Sequence, residues 1–387
     1  VIRDPARLDE LLEATRAFVT DIAIPNEDRV EREDQIPDIA MDAMRDIGTF
    51  GWSIPEEFGG SGLTGEELAL AFIELTQCSV AYRVVGATNA GIGSECIIRD
   101  GTREQQDRYL PSLAAGDRLG CLALTEEHAG SDATALRTRA IRDGDDYVVD
   151  GHKRYITLAP IADLYTVFAR TDDNERGSRG ISAFLIERGT PGLQPGEPTP
   201  KMGQEGAPIG EIVLDGCRVP ASSIIGGTPG VGFATLMKAL NKQRLNLSAL
   251  SIGPAIRLLD EALEYSGRRQ QFGRPIGDNQ LVQAMLAECK VDIESSRALV
   301  LQTARAFDAG DDVTMAVSMC KYLATEMCGR VADRVVQIFG GQGYVKESGI
   351  ERFYRDVRAA RIYEGTSQIH LINIARRLEP ARRRHDT

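Results

Sequence analysis

The apolar period of this chain changes twice along its length, and that double switch constrains the fold more than any other feature. Through the first 118 or so residues apolar side chains recur at helical spacing, as at Leu8, Leu11, Leu12, Thr15 and Val19, and again at Leu68, Ala71, Phe72 and Leu75. Pro37, the glycines of 59–62 and Gly101 punctuate these runs. From about Gly120 short alternating or wholly apolar runs take over, at 147–149, 165–169, 181–186 and 211–214. Turn signals separate them: Asp143-Gly144, Pro191-Gly192, Pro195-Gly196 and the glycines of 226–230. Beyond Gly232 the helical period returns. Leu236, Leu240, Leu247 and Leu250 begin a long helix; Val282, Met285, Cys289, Ile293, Ser296 and Val300 mark a second. Val313, Ala316, Cys320, Leu323, Met327 and Val331 mark a third, and a shorter one is predicted from about Thr366 to Arg377. The pattern predicts an α+β chain: a helical domain over 1–118, a β barrel or sandwich over 119–229, and a four-helix bundle over 230–387. A chain of 387 residues is long enough for such a division.

Composition removes several function classes. A net charge of −12 repels a nucleic-acid backbone. No apolar run is long enough to span a bilayer, and no signal-peptide pattern opens the chain. The start at Val1 rather than Met points to a trimmed N-terminus from which a leader can have been lost. The seven cysteines are scattered, odd in number and without a CxxC pair, which predicts reduced, buried thiols. Four histidines, none at metal spacing, predict no metal site. Arg376, Arg377, Arg382, Arg383 and Arg384 form a basic tail, read either as a solvated helix end or as a contact for a phosphate or acidic partner. Carboxylates or a bound cofactor must therefore carry the chemistry.

A literal GxGxxG occurs at Gly60, Gly62 and Gly65, but Pro55 interrupts the preceding stretch and a helical pattern follows, so a loop between helices is expected. The segment 122–132 (Leu-Ala-Leu-Thr-Glu-Glu-His-Ala-Gly-Ser-Asp) suits close backbone approach to a polar ligand, and equally an ordinary turn. Tyr155 and Thr157, two apart on one predicted strand, offer a wall for a flat ring or an aromatic facing a core. Arg244 interrupts the apolar stripe between Leu240 and Leu247; it either snorkels or pairs with an acid, or faces a ligand. Glycines in 268–273 and 337–343 read as helix C-caps, which leaves the gathered amides unexplained. A lone Glu364 before Gly365 is, by itself, most simply a surface helix cap.

Taken together, Leu-Thr-Glu-x-x-Ala-Gly-Ser-Asp, Arg-x-Gln-Phe-Gly, Gln-Ile-Phe-Gly-Gly-x-Gly and Ile-Tyr-Glu-Gly-Thr-Ser-Gln, in that order, resemble the acyl-CoA dehydrogenase family. The similarity runs from Trp52-Ser-Ile-Pro-Glu-Glu-Phe-Gly-Gly to the last helix. The resemblance implies FAD as cofactor, a homotetramer, an acyl-CoA substrate and electron-transfer flavoprotein as acceptor. It implies a soluble enzyme of fatty acid metabolism, cytoplasmic in a bacterium or in the mitochondrial matrix of a eukaryote. Positions matching FAD contacts are Leu122, Leu124, Thr125, Gly130, Ser131, Tyr155, Ile156, Thr157, Thr366 and Gln368. Arg269, Gln271, Phe272, Gln280, Gln337, Gly340 and Gly341 match positions that serve the pyrophosphate and adenosine, partly on a neighbouring subunit. Ser131, Asn241, Arg244 and Gly365 match substrate positions, and Glu364 matches the base that removes the α-proton. Some branches carry the base one residue before Arg244; here that residue is Gln243, which cannot accept the proton.

The chain departs from the family pattern in three places. Glu127-His128 replaces the usual Pro-Gly of the flavin loop, and Tyr155 replaces a frequent Trp. Arg83 stands where glutaryl-CoA dehydrogenases carry an arginine for the distal carboxylate of their substrate. Its alternative role is a salt bridge to Glu74 or Glu95. A short or medium fatty acyl-CoA and a dicarboxylyl-CoA are therefore both expected substrate classes. An oxygen-using oxidase or monooxygenase and a flavin scaffold without turnover are the competing functions.

Overall fold

A computed structural model describes residues 1–172, 175 and 177–378. Arg382, Arg383 and Arg384 of the basic tail lie outside the described residues, while Arg376 and Arg377 close the last helix and Arg377 reaches Asp312.

Seven helices come first: α1 (Pro5–Phe18), α2 (Glu27–Glu33), α3 (Asp38–Asp46), α4 (Gly65–Leu75), α5 (Val80–Ala90), α6 (Glu95–Asp100) and α7 (Arg103–Ala115). Their starts are legible in side-chain chemistry. Asp4 caps α1, and Thr64 with Glu67 and Thr102 with Gln105 form reciprocal capping boxes for α4 and α7. The GxGxxG is the expected loop, with no strand before it. At its end the first amides of α4 do meet an anion, but it is the protein's own: Asp308 accepts from Gly65 N at 2.6 Å and Glu66 N at 3.0 Å.

The middle region holds β1 (Gly120–Ala123), β2 (Arg139–Asp143), β3 (Asp146–Thr157), β4 (Leu164–Arg170), β5 (Ile181–Glu187), β6 (Leu193–Pro195) and β7 (Ile209–Pro220) in one sheet. Parallel pairing joins β4 to β1 and to the edge of β2, and antiparallel pairing joins β2 to β3, β3 to β7 and β4 to β5. Just beyond β1, the Thr125 carbonyl accepts from Arg154 N of β3 at 2.9 Å. Thus β1, β4, β2 and β3 follow one another around a ring. The N-terminal helices dock on this ring at β1. Asn89, at the end of α5, accepts from Gly120 N at 2.8 Å, and Gly93 packs so tightly that a Cβ there would lie 2.5 Å from Gly120 O.

The last region holds α8 (Gly232–Leu250), α9 (Ile252–Arg268), a two-stranded hairpin of β8 (Gln270–Gln271) and β9 (Arg274–Pro275), α10 (Gln280–Asp308), α11 (Thr314–Phe339), α12 (Gly341–Tyr344), α13 (Ile350–Asp356) and α14 (Ser367–Leu378). Only Ser251, itself in helical conformation, separates α8 from α9. Pro254 has no N–H for the Leu250 carbonyl, so one long helix is broken into two segments there. With α10, α11 and α14 this broken helix makes the predicted bundle. Gly340 caps α11 as expected, with φ of 61°. Gly273 does not cap a helix: with Phe272 it forms the turn of the β8–β9 hairpin, both residues at positive φ. All seven cysteines are buried and unpaired, and no helix is long and apolar enough to cross a membrane among the described residues.

Candidate active site

The turn ahead of α14 is bent by two consecutive left-handed residues, Glu364 at φ 57° and Gly365 at φ 92°. Glycine adopts this freely, whereas for a glutamate it costs about 1 kcal/mol. Three donors hold the turn. Arg244 Nε and His370 Nε2 each donate to the Glu364 carbonyl at 3.1 Å, and Lys321 Nζ donates to the Gly365 carbonyl at 2.6 Å. A carbonyl only accepts, so the His370 proton sits on Nε2. Residue Glu364 is half-buried overall, yet its Oε2 is sealed from solvent and has no hydrogen-bond partner. Burial pushes the Glu364 carboxyl up to about 7, against the pull of the Arg244 and Lys321 cations. The surface-cap alternative is therefore removed.

Helix α8 supplies the facing wall. Arg244 is 8% exposed and forms no ion pair among the described residues; burial lowers its pKa, and Glu364 opposes that. It neither snorkels nor pairs with an acid. One residue back, the Gln243 side chain packs against Gly91, and its Oε1 is buried without a partner, as is Asn241 Oδ1. From α5, Arg83 donates from Nη2 to the Tyr363 hydroxyl at 2.6 Å, with its Nε unpartnered. The expected salt bridge is absent: Glu74 pairs with Arg16, and Glu95 with Arg99 and Lys242. Buried polar atoms are rarely left unsatisfied. Glu364 Oε2, Arg83 Nε, Asn241 Oδ1, Gln243 Oε1 and His370 Nδ1 all are, which suits a site shaped for a polar ligand.

The β side carries the segment 122–132. Leu122 lies in β1, with Leu124 and Thr125 just past it and Gly130 and Ser131 on the exposed loop beyond. That loop is held from within. Glu126 accepts from Arg137 N, Thr138 N, Thr138 Oγ1 and Lys153 Nζ, and the wholly buried Lys153 also donates to the Leu124 carbonyl at 3.1 Å. The Glu127-His128 departure thus sits beside an anchored acid. Tyr155 differs from the simple pleat expected. A β-bulge between Lys153 and Ile156 puts it at φ 58°, so the bulge turns its ring outward, 59% exposed, while Ile156 is buried. The Arg154 guanidinium lies 5.3 Å from the Tyr155 ring centroid. Thr157 ends the strand half-buried, and across β1 the Thr166 hydroxyl, opposite Leu122, is buried without a partner.

The remaining predicted residues form a second cluster. Arg269, Gln271 and Phe272 lie on or beside the hairpin, and Gln280 opens α10 behind it. Tyr265 of α9 stacks on Phe339 at 4.1 Å, which brings the hairpin to Gln337, Gly340 and Gly341. Lys321 and Phe339 are 18 positions apart on α11, or about 27 Å along it, so this cluster is remote from Glu364 within one chain. Thr366 caps α14 through Ile369 N, and Gln368 is exposed beside it. No hydrogen bond joins Ser131 to Arg244.

Family models describe the same three parts: "Acyl-CoA dehydrogenase, N-terminal domain" matches residues 6–117, the "middle domain" 121–217 and the "C-terminal domain" 230–379. The chain belongs to the acyl-CoA dehydrogenase family. An acyl-CoA dehydrogenase of Bacillus subtilis is 36% identical over 94% of this chain and 95% of its own. The acryloyl-CoA reductase (NADH) of Anaerotignum propionicum is 39% identical over 91% and 89%. Butyryl-CoA dehydrogenase from Megasphaera elsdenii superimposes with a TM-score of 0.92 at 32% identity, covering 98% of this chain and 99% of that one. The glutaryl-coenzyme A dehydrogenase complex with glutaryl-CoA gives 0.91 at 34% identity, over 97% and 95%. The FAD complex of PigA gives 0.93 at 30% identity, over 98% and 99%.

This family member is an oxidoreductase with FAD as its cofactor. The chain's own residues fit that group: an outward Tyr155 ring, an orphaned Thr166 hydroxyl and an internally braced loop stand together on the β ring. Sequence reasoning missed Lys321, His370, Tyr363, Glu126 and Lys153. A signal existed for Lys321, a lone cation four residues after the buried Val317. For Tyr363, Glu126 and Lys153, partners distant in sequence left no local mark, and His370 reaches a backbone carbonyl six residues back, which no side-chain pattern marks.

Proposed function

We propose that this enzyme dehydrogenates an acyl-CoA thioester to its trans-2-enoyl-CoA, with Glu364 as the base that removes the α-proton. The observation that carries this is the Glu364 carboxyl: buried, unpartnered at Oε2 and held near neutrality. A thioester α-proton is weakly acidic, so a base poised near pH 7 in a water-poor site suits its removal. Bound FAD supplies the hydride acceptor at N5. Arg244, Asn241, Gly365 and Ser131 bind the thioester and CoA portion. Leu122, Leu124, Thr125, Gly130 and Ser131, Tyr155 to Thr157, Thr366 and Gln368 would hold the flavin end of FAD. The remote hairpin cluster, Arg269, Gln271, Phe272 and Gln280 with Gln337, Gly340 and Gly341, would serve the pyrophosphate and adenosine of FAD, partly on a neighbouring subunit. A homotetramer supplies that neighbour, and the fully exposed Phe272 supports it. Electrons leave to electron-transfer flavoprotein, in the cytoplasm of a bacterium or the matrix of a mitochondrion. Domain boundaries near 118 and 229 follow from the period changes.

A second reading concerns the substrate. Arg83 is buried, has no carboxylate partner among the described residues, and is bound to the residue next to Glu364. A guanidinium so placed suits a carboxylate on the far end of the acyl chain, which favours a dicarboxylyl-CoA. The experiment is anaerobic bleaching of the flavin by glutaryl-, pimeloyl-, butyryl-, hexanoyl- and octanoyl-CoA. Bleaching by none of them refutes the dehydrogenase reading; preference for the plain chains refutes the dicarboxylate. Turnover that yields peroxide in place of dye reduction would mark an oxidase.

A further inference from the structure

Lys321 does not behave like a packing residue. Helix α11 turns Val317, Cys320, Ala324 and Met327 inward, and Lys321 lies among them with 0% exposure. Taking an ammonium out of water is costly unless it is paired. Lys321 forms no ion pair among the described residues, and its one hydrogen bond runs 44 positions along the chain to the Gly365 carbonyl. His370, also 0% exposed, donates to the adjoining Glu364 carbonyl. Two buried polar side chains from two helices thus spend their hydrogen bonds on one strained turn.

We propose that Lys321 and His370 are positioning residues that, together with Arg244, clamp the Glu364 and Gly365 carbonyls and thereby aim the Glu364 carboxylate at the substrate. The proposal rests on the reading of Glu364 as base. Carbonyls pinned on the inner side fix the left-handed pair, and the pair fixes the direction in which the Glu364 side chain leaves the backbone. The clamp also sets the local field. The charged groups facing the carboxyl are Arg244 from α8 and Lys321 from α11, both favouring its ionised form. His370, from α14, is pushed down to about 4 by burial and by those two cations, so it stays a neutral N–H donor. Glu326, the nearby acid of α11, is engaged elsewhere by Arg361 and Ser367. A role confined to fastening α14 onto α11 predicts lost stability alone.

The test uses the holoenzyme with Lys321→Met, His370→Leu and His370→Gln. Flavin reduction by the best acyl-CoA is followed by anaerobic stopped flow across pH, and amide hydrogen exchange is followed over residues 362–370. Lys321→Met and His370→Leu are expected to slow saturated reduction roughly 10- to 100-fold, with half-saturation changed less than about threefold. Exchange over 362–370 should quicken in both. Loss of the Lys321 charge should also move the midpoint of the pH profile upward. His370→Gln keeps an N–H donor and should stay close to wild type. Wild-type rates, pH midpoint and exchange in both donor-deleted proteins overturn the clamp, even if both melt earlier; so does His370→Gln failing as badly as His370→Leu. If Lys321→Met does not fold, the His370 pair decides. Wild-type protein bleached by no acyl-CoA defeats the base assignment instead, and hydrogen exchange still judges the clamp.

Discussion

Arg83 donates to the hydroxyl of Tyr363 at 2.6 Å, across 280 positions of sequence, and Tyr363 is the immediate neighbour of Glu364. One hydrogen bond therefore ties α5 to the residue beside the proposed base. If Arg83 meets a substrate carboxylate, Arg83→Ala should cut kcat/KM for glutaryl-CoA on the order of 10²- to 10³-fold, since it strands a buried charge. Butyryl-CoA should lose far less. Tyr363→Phe should give a smaller loss in the same direction, because it leaves the guanidinium in place. Steady-state assays on both substrates decide the matter; an equal fall on the two would return Arg83 to a structural role.

Glu364 should write its ionisation into the pH profile. A base works when deprotonated, so flavin reduction by acyl-CoA should rise with pH through a midpoint at about 7 and level off above it. Glu364→Gln should lower the plateau by roughly 10²- to 10⁴-fold. A midpoint near the ordinary carboxyl value of 4.5 would contradict the burial described above.

The same group makes an opposite prediction for stability. Folding raises the Glu364 pKa, so the folded chain holds this proton more tightly than the unfolded one. Its contribution is fully present below the unfolded value of 4.5 and is lost as pH rises through about 7. Glu364→Gln removes that loss. Thermal melts should show the variant level with wild type near pH 5 and higher near pH 8, by on the order of 1–3 °C. A variant that melts lower at both would show that Arg244 and Lys321 outweigh the burial of the carboxylate.

Glu126 and Lys153 brace the 122–132 loop as a buried pair, so breaking one member leaves the other uncompensated. Lys153→Met should cost about 3–5 kcal/mol, and the freed 124–138 segment should weaken FAD retention. Absorbance of bound flavin after gel filtration, with a thermal melt, measures both. Normal flavin content in a destabilised protein would separate the brace from the cofactor site.

The architecture was legible because each region repeats its apolar period many times, and a change of period is a many-residue signal. Arg244 and Glu364 were singled out by another signal, the order of short motifs around them, and the structure brings the two together. What stayed hidden depends on single contacts distant in sequence. Lys321 reaches a backbone carbonyl, and carbonyls are the same in every residue, so nothing in the sequence of α11 names Gly365 as the partner. Tyr155 was placed by counting pleats, and a two-for-one bulge defeats such counting. Gly273 looked like a helix cap because positive φ is shared by caps and hairpin turns; only the pairing of Gln271 with Arg274 distinguishes them.

Phe272 stands at the tip of that hairpin with 99% of its surface exposed. An aromatic at a tight turn with positive φ gains nothing from its own chain, since burial elsewhere would be worth about 1.5–3 kcal/mol. Leu281 at the start of α10 and Tyr344 beyond α11 are also exposed, at 81% and 84%, at the same end of the bundle as the hairpin cluster. Covering these side chains by a second copy would both recover that energy and carry the Arg269–Gln280 segment to the neighbour's cofactor. Phe272→Ser should therefore shift assembly and flavin retention together, by about tenfold or more in the protein concentration at which each is half lost. Analytical ultracentrifugation and bound-flavin absorbance over a dilution series would show it. Loss of flavin with assembly intact would leave Phe272 a cofactor contact only, and intact values of both would remove the hairpin from the interface.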